Sequence, residues 1–329
     1  MKIQLKYLLL FALVICLFTA DIIVGSVKIP LSHLFDNDGI YHEIIYNFRL
    51  PKAITAILTG SAISIAGLIM QTLFQNPLAG PYVLGVSSGA SLGVAIYILA
   101  GSILPLSFVD SGFGLIISAT LGAVCVLLLV LIVSFRVRQA VSLLLIGIMF
   151  GQITGSIVSI LQNISNPDSL KLYITWTFGS LSAVTWKYML FMAPIILIGI
   201  IIVFLIQKSL NSLLLGENYA QGLGVNIKRT RLYIIIAISL LAGATTAFTG
   251  PIAFIGIAVP HIVRKILRTY DHLHATIGCI LVGSALLLLC DICTQLPAEG
   301  YTLPINSISA LIGAPIIIWI IIKQNKSTY

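Results

Sequence analysis

Charge is scarce in this chain. Only 9% of its 329 residues are charged, whereas 59% are hydrophobic. Soluble globular domains carry about 25% charged residues, and a soluble fold with so few would expose large apolar patches and aggregate. The scarcity excludes a soluble protein. It predicts an all-α integral membrane protein, because apolar helices of about 20 residues satisfy their own backbone hydrogen bonds in lipid.

Arrangements that perform catalysis are also missing from the sequence. There is no G-x-x-x-x-G-K-[ST] loop to cradle ATP phosphates. The histidines His261, His272 and His274 are not spaced with cysteines as metal ligands are. Cys290 and Cys293 form a C-x-x-C inside an apolar run, where packing is their expected role. We therefore expect no catalytic residue, metal or cofactor on this chain.

Ten apolar runs follow one another and predict a single transmembrane domain over residues 1–329. The eighth run is short, contains Pro260 and begins just after Pro251. Backbone broken at membrane depth must be buried in protein or line a cavity, so we expect this run inside the bundle. The runs cover 7–27, 53–74, 83–101, 113–135, 140–162, 188–207, 232–249, 252–263, 275–294 and 305–322.

Three hydrophilic stretches separate some of these runs. Residues 28–52 and 163–187 predict loops outside the membrane, the second with a short interfacial helix anchored by Trp176 and Trp186. Residues 208–231 form the longest loop on the inside.

The net charge of +8 does not indicate nucleic-acid binding. Basic residues stand in small groups between apolar runs, as topology signals and anionic-lipid contacts do, and no basic stripe is interleaved with aromatics. Lys and Arg accumulate on the cytoplasmic side of a membrane, and both termini are therefore predicted to be cytoplasmic. With that orientation the Lys and Arg residues outside are Lys28, Arg49, Lys52, Lys171 and Lys187.

A secondary transporter or channel without an ATPase is the alternative function. Ion-coupled carriers usually keep acidic groups near the membrane midplane, whereas Asp21 and Asp291 lie near the ends of their runs. Such a carrier also has no need of a loop like 208–231. Both points count against this class, and a membrane-embedded enzyme would need a cluster of His, Asp or Glu that is missing.

Three ordered motifs carry a resemblance to a known family. Residues 49–93 contain R-L-P-[RK], then G-x-x-x-x-x-A-G-x-x-x-Q, then N-P-L-A-x-P-x-x-L-G-x-x-x-G-A. A second motif covers 242–264 and a third covers 303–315. Together they resemble the FecCD family of ABC importer permeases, which includes permeases for ferric siderophores, haem and cobalamin.

The resemblance implies a type II ABC importer permease fold with about ten transmembrane helices per subunit. It implies a homodimer in the cytoplasmic membrane, two separate cytoplasmic ATPase subunits that bind ATP and Mg, and a substrate-binding protein outside. The expected substrate is an iron-siderophore, haem or cobalamin-like compound.

Site residues follow from the same resemblance. Arg49 and Lys52 would dock the binding protein, and the fifth span from Leu143 to Ile160 would line the path with aliphatic side chains. The cytoplasmic gate would comprise Asn76, Pro77, Leu78, Ala140 and Ser142. The ATPase would engage a short helix in the 208–231 loop, through Gly216, Glu217, Tyr219, Ala220, Leu223 and Gly224.

The chain departs from the family pattern at a few positions. Lys52 stands where Arg is common, which keeps the charge but not the bidentate geometry. Gln295 stands where a second outside arginine often lies, and the E-L-P-I-G motif reads T-L-P-I-N over residues 302–306. These changes concern docking outside the membrane.

Overall fold

The computed structural model describes residues 3–25, 27, 29, 39–101, 112–134, 136–137, 140–296 and 302–325. All regular structure in these ranges is helical. The α-helices are α1 (Ile3–Ile23), α2 (Ile40–Ile44), α3 (Leu50–Leu73), α4 (Val86–Ala95), α5 (Gly112–Ser134), α6 (Ala140–Ile164), α7 (Pro167–Thr177), α8 (Trp186–Leu213), α9 (Glu217–Gly222), α10 (Ile227–Ile238), α11 (Ala244–Thr249), α12 (Ile255–Leu267), α13 (His272–Thr294) and α14 (Ile305–Asn325). Wide π-helical turns cover Ile45–Arg49, Ile96–Ala100 and Ser239–Gly243, and 3₁₀ turns cover Pro81–Leu84 and Leu181–Ala183.

Each of the ten predicted apolar runs corresponds to a helix. In the described part of the chain, seven helical segments are long and apolar enough to cross a membrane. Two shorter apolar helices, Val86–Ala100 and Ile305–Trp319, cover the third and tenth runs, and α12 covers the eighth. The seven are Ile3–Ile23, Ile40–Leu73, Phe113–Val133, Ser142–Ile164, Trp186–Leu213, Ile227–Thr249 and His272–Thr294.

The helices form two compact units, each assembled from separate stretches of chain. The first comprises Met1–Leu68, Gly179–Pro194 and Ile252–Tyr329, and the second comprises Ile69–Phe178 and Ile195–Pro251. In the first unit α13 packs against α1, α12 and α14. In the second unit α4 packs against α5 and α6.

Glycines allow the closest helix contacts in both units. In the first, a Cβ on Gly60 would overlap the carbonyl of Gly283, and a Cβ on Gly67 would overlap the backbone of Gly256. In the second, a Cβ on Gly93 would overlap the carbonyl of Ser118. Small residues bring helices together in a bilayer, where association depends on van der Waals packing. The small-residue pattern of residues 60–93 is thus explained by packing within each unit.

The eighth apolar run is largely buried, as its prolines predicted, although Pro251, Ala253 and Phe254 in the break before α12 are only half-buried. Phe254 immediately precedes the helix with a left-handed φ of 66°, and Val259, Pro260 and His261 within the helix are all buried. The N–H of Ala253 has no helical partner and instead donates to Asn306 Oδ1 at 3.0 Å. A glycine at position 306 would lack this acceptor. Asn306, where the family pattern has glycine, therefore stabilises the backbone before α12.

The two predicted outside loops differ in outcome. The short helix predicted in 163–187 is present as α7, and its interfacial position stays a prediction. The helix begins after Asn166, whose side chain accepts from the N–H of Ser169 at 2.8 Å. The description of 28–52 as a loop is wrong for its second half, because the helix that contains α3 already begins at Ile40. Pro51 has no N–H to donate to the preceding turn, and the wide turn Ile45–Arg49 lies immediately before it.

Candidate functional site

Arg49 closes the end of α1. Its guanidinium donates from Nη1 to the carbonyl oxygens of Ile22 and Ile23, each at 2.7 Å, and from Nη2 to the carbonyl of Val27. The last carbonyls of a helix lack partners within the helix, and Arg49 supplies them. A side chain at Gly25 would overlap the guanidinium, so glycine leaves room for this cap.

Lys52 lies nearly one turn further on, between two carboxylates. Its Nζ is 2.7 Å from Asp291 Oδ2 and 3.8 Å from Asp21 Oδ1. Gln295 Nε2 donates to the same Asp291 Oδ2 at 3.2 Å. We call Asp21, Arg49, Lys52, Asp291 and Gln295 the Lys52 cluster. It joins the ends of α1 and α13 to the beginning of α3.

Arg49 and Lys52, the two residues predicted to dock the binding protein, both contact groups of this same chain within the Lys52 cluster. Arg49 is 5% exposed and Lys52 is 7% exposed, whereas the sequence pattern predicted charges at an outer rim. Two of the departures from the family pattern, Lys52 and Gln295, meet on one carboxylate, that of Asp291. Docking through Arg49 and Lys52 stays a prediction, and it requires these charges to leave or extend their internal contacts.

The short helix predicted in the 208–231 loop is present as α9. Gly216 precedes it with a φ of 100° and Gly224 follows it with a φ of 86°, values that favour glycine. Ala220 is fully buried, whereas Tyr219 is 67% exposed and Leu223 is 61% exposed. The helix therefore packs against the rest of the chain through Ala220, while the large side chains of Tyr219 and Leu223 are exposed on its surface.

Glu217, at the start of α9, forms an ion pair with Arg231 on α10. Arg231 Nη2 lies 2.6 Å and 2.8 Å from the two carboxylate oxygens. Arg231 Nη1 donates to the carbonyl of Val137 at 3.1 Å. Arg231 thus connects α9 with the segment that precedes α6.

The predicted gate residues Asn76, Pro77 and Leu78 form a tight turn. Asn76 Oδ1 accepts from the N–H of Leu78 at 2.9 Å, an arrangement typical of asparagine in turns. Gln75 adopts a left-handed φ of 48°, and its Nε2 donates to the carbonyl of Leu213 at 3.2 Å. The turn is therefore held to the end of α8, just before α9.

The other predicted gate residues lie at the beginning of α6. Ala140 is its first residue and Ser142 is half-buried. Further along this helix Gln152, Ser156 and Ser159 are exposed, and their spacing of three and four residues places them on one face. The fifth span was predicted to be aliphatic, yet its exposed surface includes this polar face.

Gln75 and Arg231 are the residues that sequence reasoning missed. From the sequence alone Arg231 is one of several inside charges, and Gln75 has no distinguishing pattern. The signal for Arg231 was a basic residue in the same loop as the acidic Glu217. Nothing in the sequence indicates that its guanidinium also reaches Val137.

Membrane-length helices joined by short polar segments define a multi-spanning membrane protein. Comparison with known proteins places it among transport proteins, since residues 10–323 match the FecCD transport family. This chain belongs to that family.

Several relatives align over most of their length. The hemin transport system permease protein HmuU of Yersinia pestis is 32% identical, covering 99% of this chain and 97% of the relative. An uncharacterized ABC transporter permease protein of Bacillus subtilis, YvrB, is 35% identical, covering 92% and 89%. The vitamin B12 import system permease protein BtuC of Salmonella typhi is 35% identical, covering 86% and 84%.

A solved structure agrees with the fold. It is described as a metal-chelate type ABC transporter in an inward-facing conformation, and it matches with a TM-score of 0.86 at 28% identity. The match covers 98% of this chain and 100% of the other. The type II permease fold expected from the motifs is confirmed.

Proposed function

We propose that this chain is the permease subunit of an ABC importer for an iron-siderophore, haem or cobalamin-like compound. Its family and relatives support the class, because the relatives are named as permeases for hemin and vitamin B12. The observation that carries the proposal is the exposed pair Tyr219 and Leu223, which we call the α9 surface. It offers an apolar contact surface to an ATP-hydrolysing partner.

The ATPase subunits bind the surface formed by Tyr219 and Leu223. Large exposed apolar side chains are unusual for a solvated loop between spans, and such residues anchor protein interfaces. ATP and Mg bind on the partner chains, and this chain contributes no catalytic group. Closure of the ATPases displaces α9, and the displacement reaches the gate at Asn76–Leu78 and Ala140–Ser142.

Two copies of the chain enclose the transport path. Polar side chains in a membrane span rarely face lipid, and Gln152, Ser156 and Ser159 form an exposed polar face on α6. A second copy facing α6 gives these groups a water-filled path instead of lipid. The path then offers uncharged hydrogen-bonding groups, which suits a substrate whose selection rests with the binding protein.

The protein is a multi-pass protein of the cytoplasmic membrane. We place both termini and the α9 surface in the cytoplasm, because that orientation puts most of the 18 Lys and Arg residues inside. The Lys52 cluster then lies at the outer face, where a binding protein delivers the substrate. Arg49 and Lys52 attract its acidic residues.

Reconstitution tests this function. Liposomes containing the chain, its cognate ATPase and its cognate binding protein are expected to accumulate substrate only with ATP. Replacing Tyr219 and Leu223 by alanine should abolish ATPase association and uptake. Tyr270→Ala is the matched control, because Tyr270 is 70% exposed in a different connection, and it should behave as wild type.

Two results would contradict the proposal. Uptake by the chain alone, driven by an ion gradient and indifferent to ATP, would favour the secondary transporter. Normal ATPase association in the Tyr219→Ala/Leu223→Ala variant would show that α9 is not the partner surface. The subunit stoichiometry of the purified complex, expected to be two permeases and two ATPases, tests the homodimer separately.

A further inference from the structure

Arg231 is buried although its basic neighbours are not. It is 8% exposed, whereas Lys228 and Arg229 on the same first turn of α10 are exposed. Burying a guanidinium is unfavourable unless it is paired and hydrogen-bonded. Its position therefore depends on the groups that receive its N–H donors.

The acceptors that the structure describes for Arg231 belong to two different segments. Three of its hydrogen bonds end on the carboxylate of Glu217, at 2.6, 2.8 and 3.3 Å, and one ends on the carbonyl of Val137 at 3.1 Å. Glu217 is the first residue of α9. Val137 lies three residues before Ala140, where α6 begins. One rigid side chain is thus shared between α9 and the approach to α6.

The planar guanidinium suits this task. Its donors form a fixed fork, so that the position of one acceptor restricts the position of the other. A lysine ammonium is a point charge on a flexible stem and does not impose such a restriction. The link from Gln75 to Leu213 is a single neutral hydrogen bond at 3.2 Å, and neutral bonds are weaker than charge-assisted ones.

We propose that Arg231 is the positioning residue that transmits displacement of α9 to the beginning of α6. The proposal rests on the proposed function, in which an ATPase moves α9 and the gate includes Ala140 and Ser142. In this mechanism Glu217 moves with α9, Arg231 follows the carboxylate, and the segment at Val137 follows Arg231. The ion pair alone would stabilise the loop, but the additional bond to Val137 makes the contact a transmission element.

Two variants separate transmission from loop stability. Arg231→Lys keeps the charge beside Glu217 but loses the fork. The exchange Glu217→Arg/Arg231→Glu keeps an ion pair between α9 and α10 but removes the donor to Val137, because a carboxylate at position 231 cannot donate. Arg229→Gln is the matched control, since Arg229 is exposed on the same turn.

The experiment measures substrate transported per ATP hydrolysed in liposomes with the cognate ATPase and binding protein. Association with the ATPase and thermal unfolding are measured on the same preparations. Arg231→Lys should associate with the ATPase and hydrolyse ATP, and in both variants transport per ATP hydrolysed should fall by about fivefold or more, the range of typical coupling energies. Arg229→Gln should match wild type.

Several outcomes overturn the proposal. Transport per ATP restored to the wild-type value by the exchange variant would show that Arg231 only stabilises the loop. Loss of transport in proportion to lost thermal stability or lost ATPase association would show the same. Wild-type protein that neither binds an ATPase nor requires ATP would instead refute the proposed function.

Discussion

The buried ion pair between Lys52 and Asp291 makes a quantitative prediction about stability. Lys52→Met removes the ammonium and keeps an apolar stem of the same length. The two side chains are only 9% and 6% exposed, so the remaining carboxylates of Asp291 and Asp21 cannot be rehydrated freely. Removal of one partner of a buried pair costs about 3–5 kcal/mol, and we expect a loss of this size.

Removing the second charge should return part of that loss. Replacing both partners of a buried pair by uncharged residues is often close to neutral. Lys52→Met/Asp291→Asn is therefore expected to be more stable than Lys52→Met alone, and the four proteins of the cycle give the coupling energy. Lys187→Met is the control because Lys187 is exposed, and surface changes are usually within about 0.5 kcal/mol.

Unfolding of the purified protein in detergent, followed by helical circular dichroism, measures these differences. The reasoning would be refuted by a Lys52→Met protein as stable as wild type. It would also be refuted by strictly additive single changes, because the coupling energy would then be zero. Either result would mean that water or detergent headgroups reach the Lys52 cluster.

Three further substitutions test other parts of the structure. Arg49→Glu should lower thermal stability, because the cap of α1 is lost. If Arg49 leaves this cap to dock the binding protein, the reversed charge should also weaken binding-protein association at low salt; equal binding by both proteins would remove Arg49 from docking. Gly67→Val should prevent folding, because the added side chain would overlap the backbone of Gly256, whereas Gly155→Val should yield folded protein because Gly155 has open space around it. Equal yields of the two variants on gel filtration would contradict the packing argument. Gly224→Val should lose coupled transport, because a φ of 86° at this position strains a β-branched residue, whereas Gly222→Ala should retain it. Wild-type coupling in the valine variant would show that the conformation at the end of α9 is not needed for coupling.

Much of the helical framework could be predicted because its signals are local. Long apolar runs give the spans directly, and the glycines at 216 and 224 delimit α9 through their own backbone preference. The helix from Ile40 was missed because polar residues in the same stretch, including Glu43, obscure its apolar residues. Local rules for the turn at Asn76 were sufficient, since its side chain bonds to its own backbone.

The contacts within the candidate site could not be predicted in the same way. Asp21 and Asp291 each lie near the end of a run, and only the packing of α1 and α13 brings both to Lys52. The bond from Arg231 to Val137 joins residues in different helical segments, and its acceptor is a backbone carbonyl that every residue type has. Sequence reasoning identified Arg49 and Lys52 as important, but their internal partners depend on how the helices pack.

The wide turns at Ile45–Arg49, Ile96–Ala100 and Ser239–Gly243 have a consequence for how related chains change in length. A π-helical turn contains one residue more than an α-helical path between the same two ends. Deleting one residue from Ser239–Gly243 would let α10 and α11 join as an unbroken helix. Residues on both sides of the deletion would keep facing the same directions, because only the extra residue of the wide turn is removed and its two ends stay in place. Single-residue insertions and deletions are therefore compatible with the spans at these three turns, because both halves of each helix keep the faces that they present.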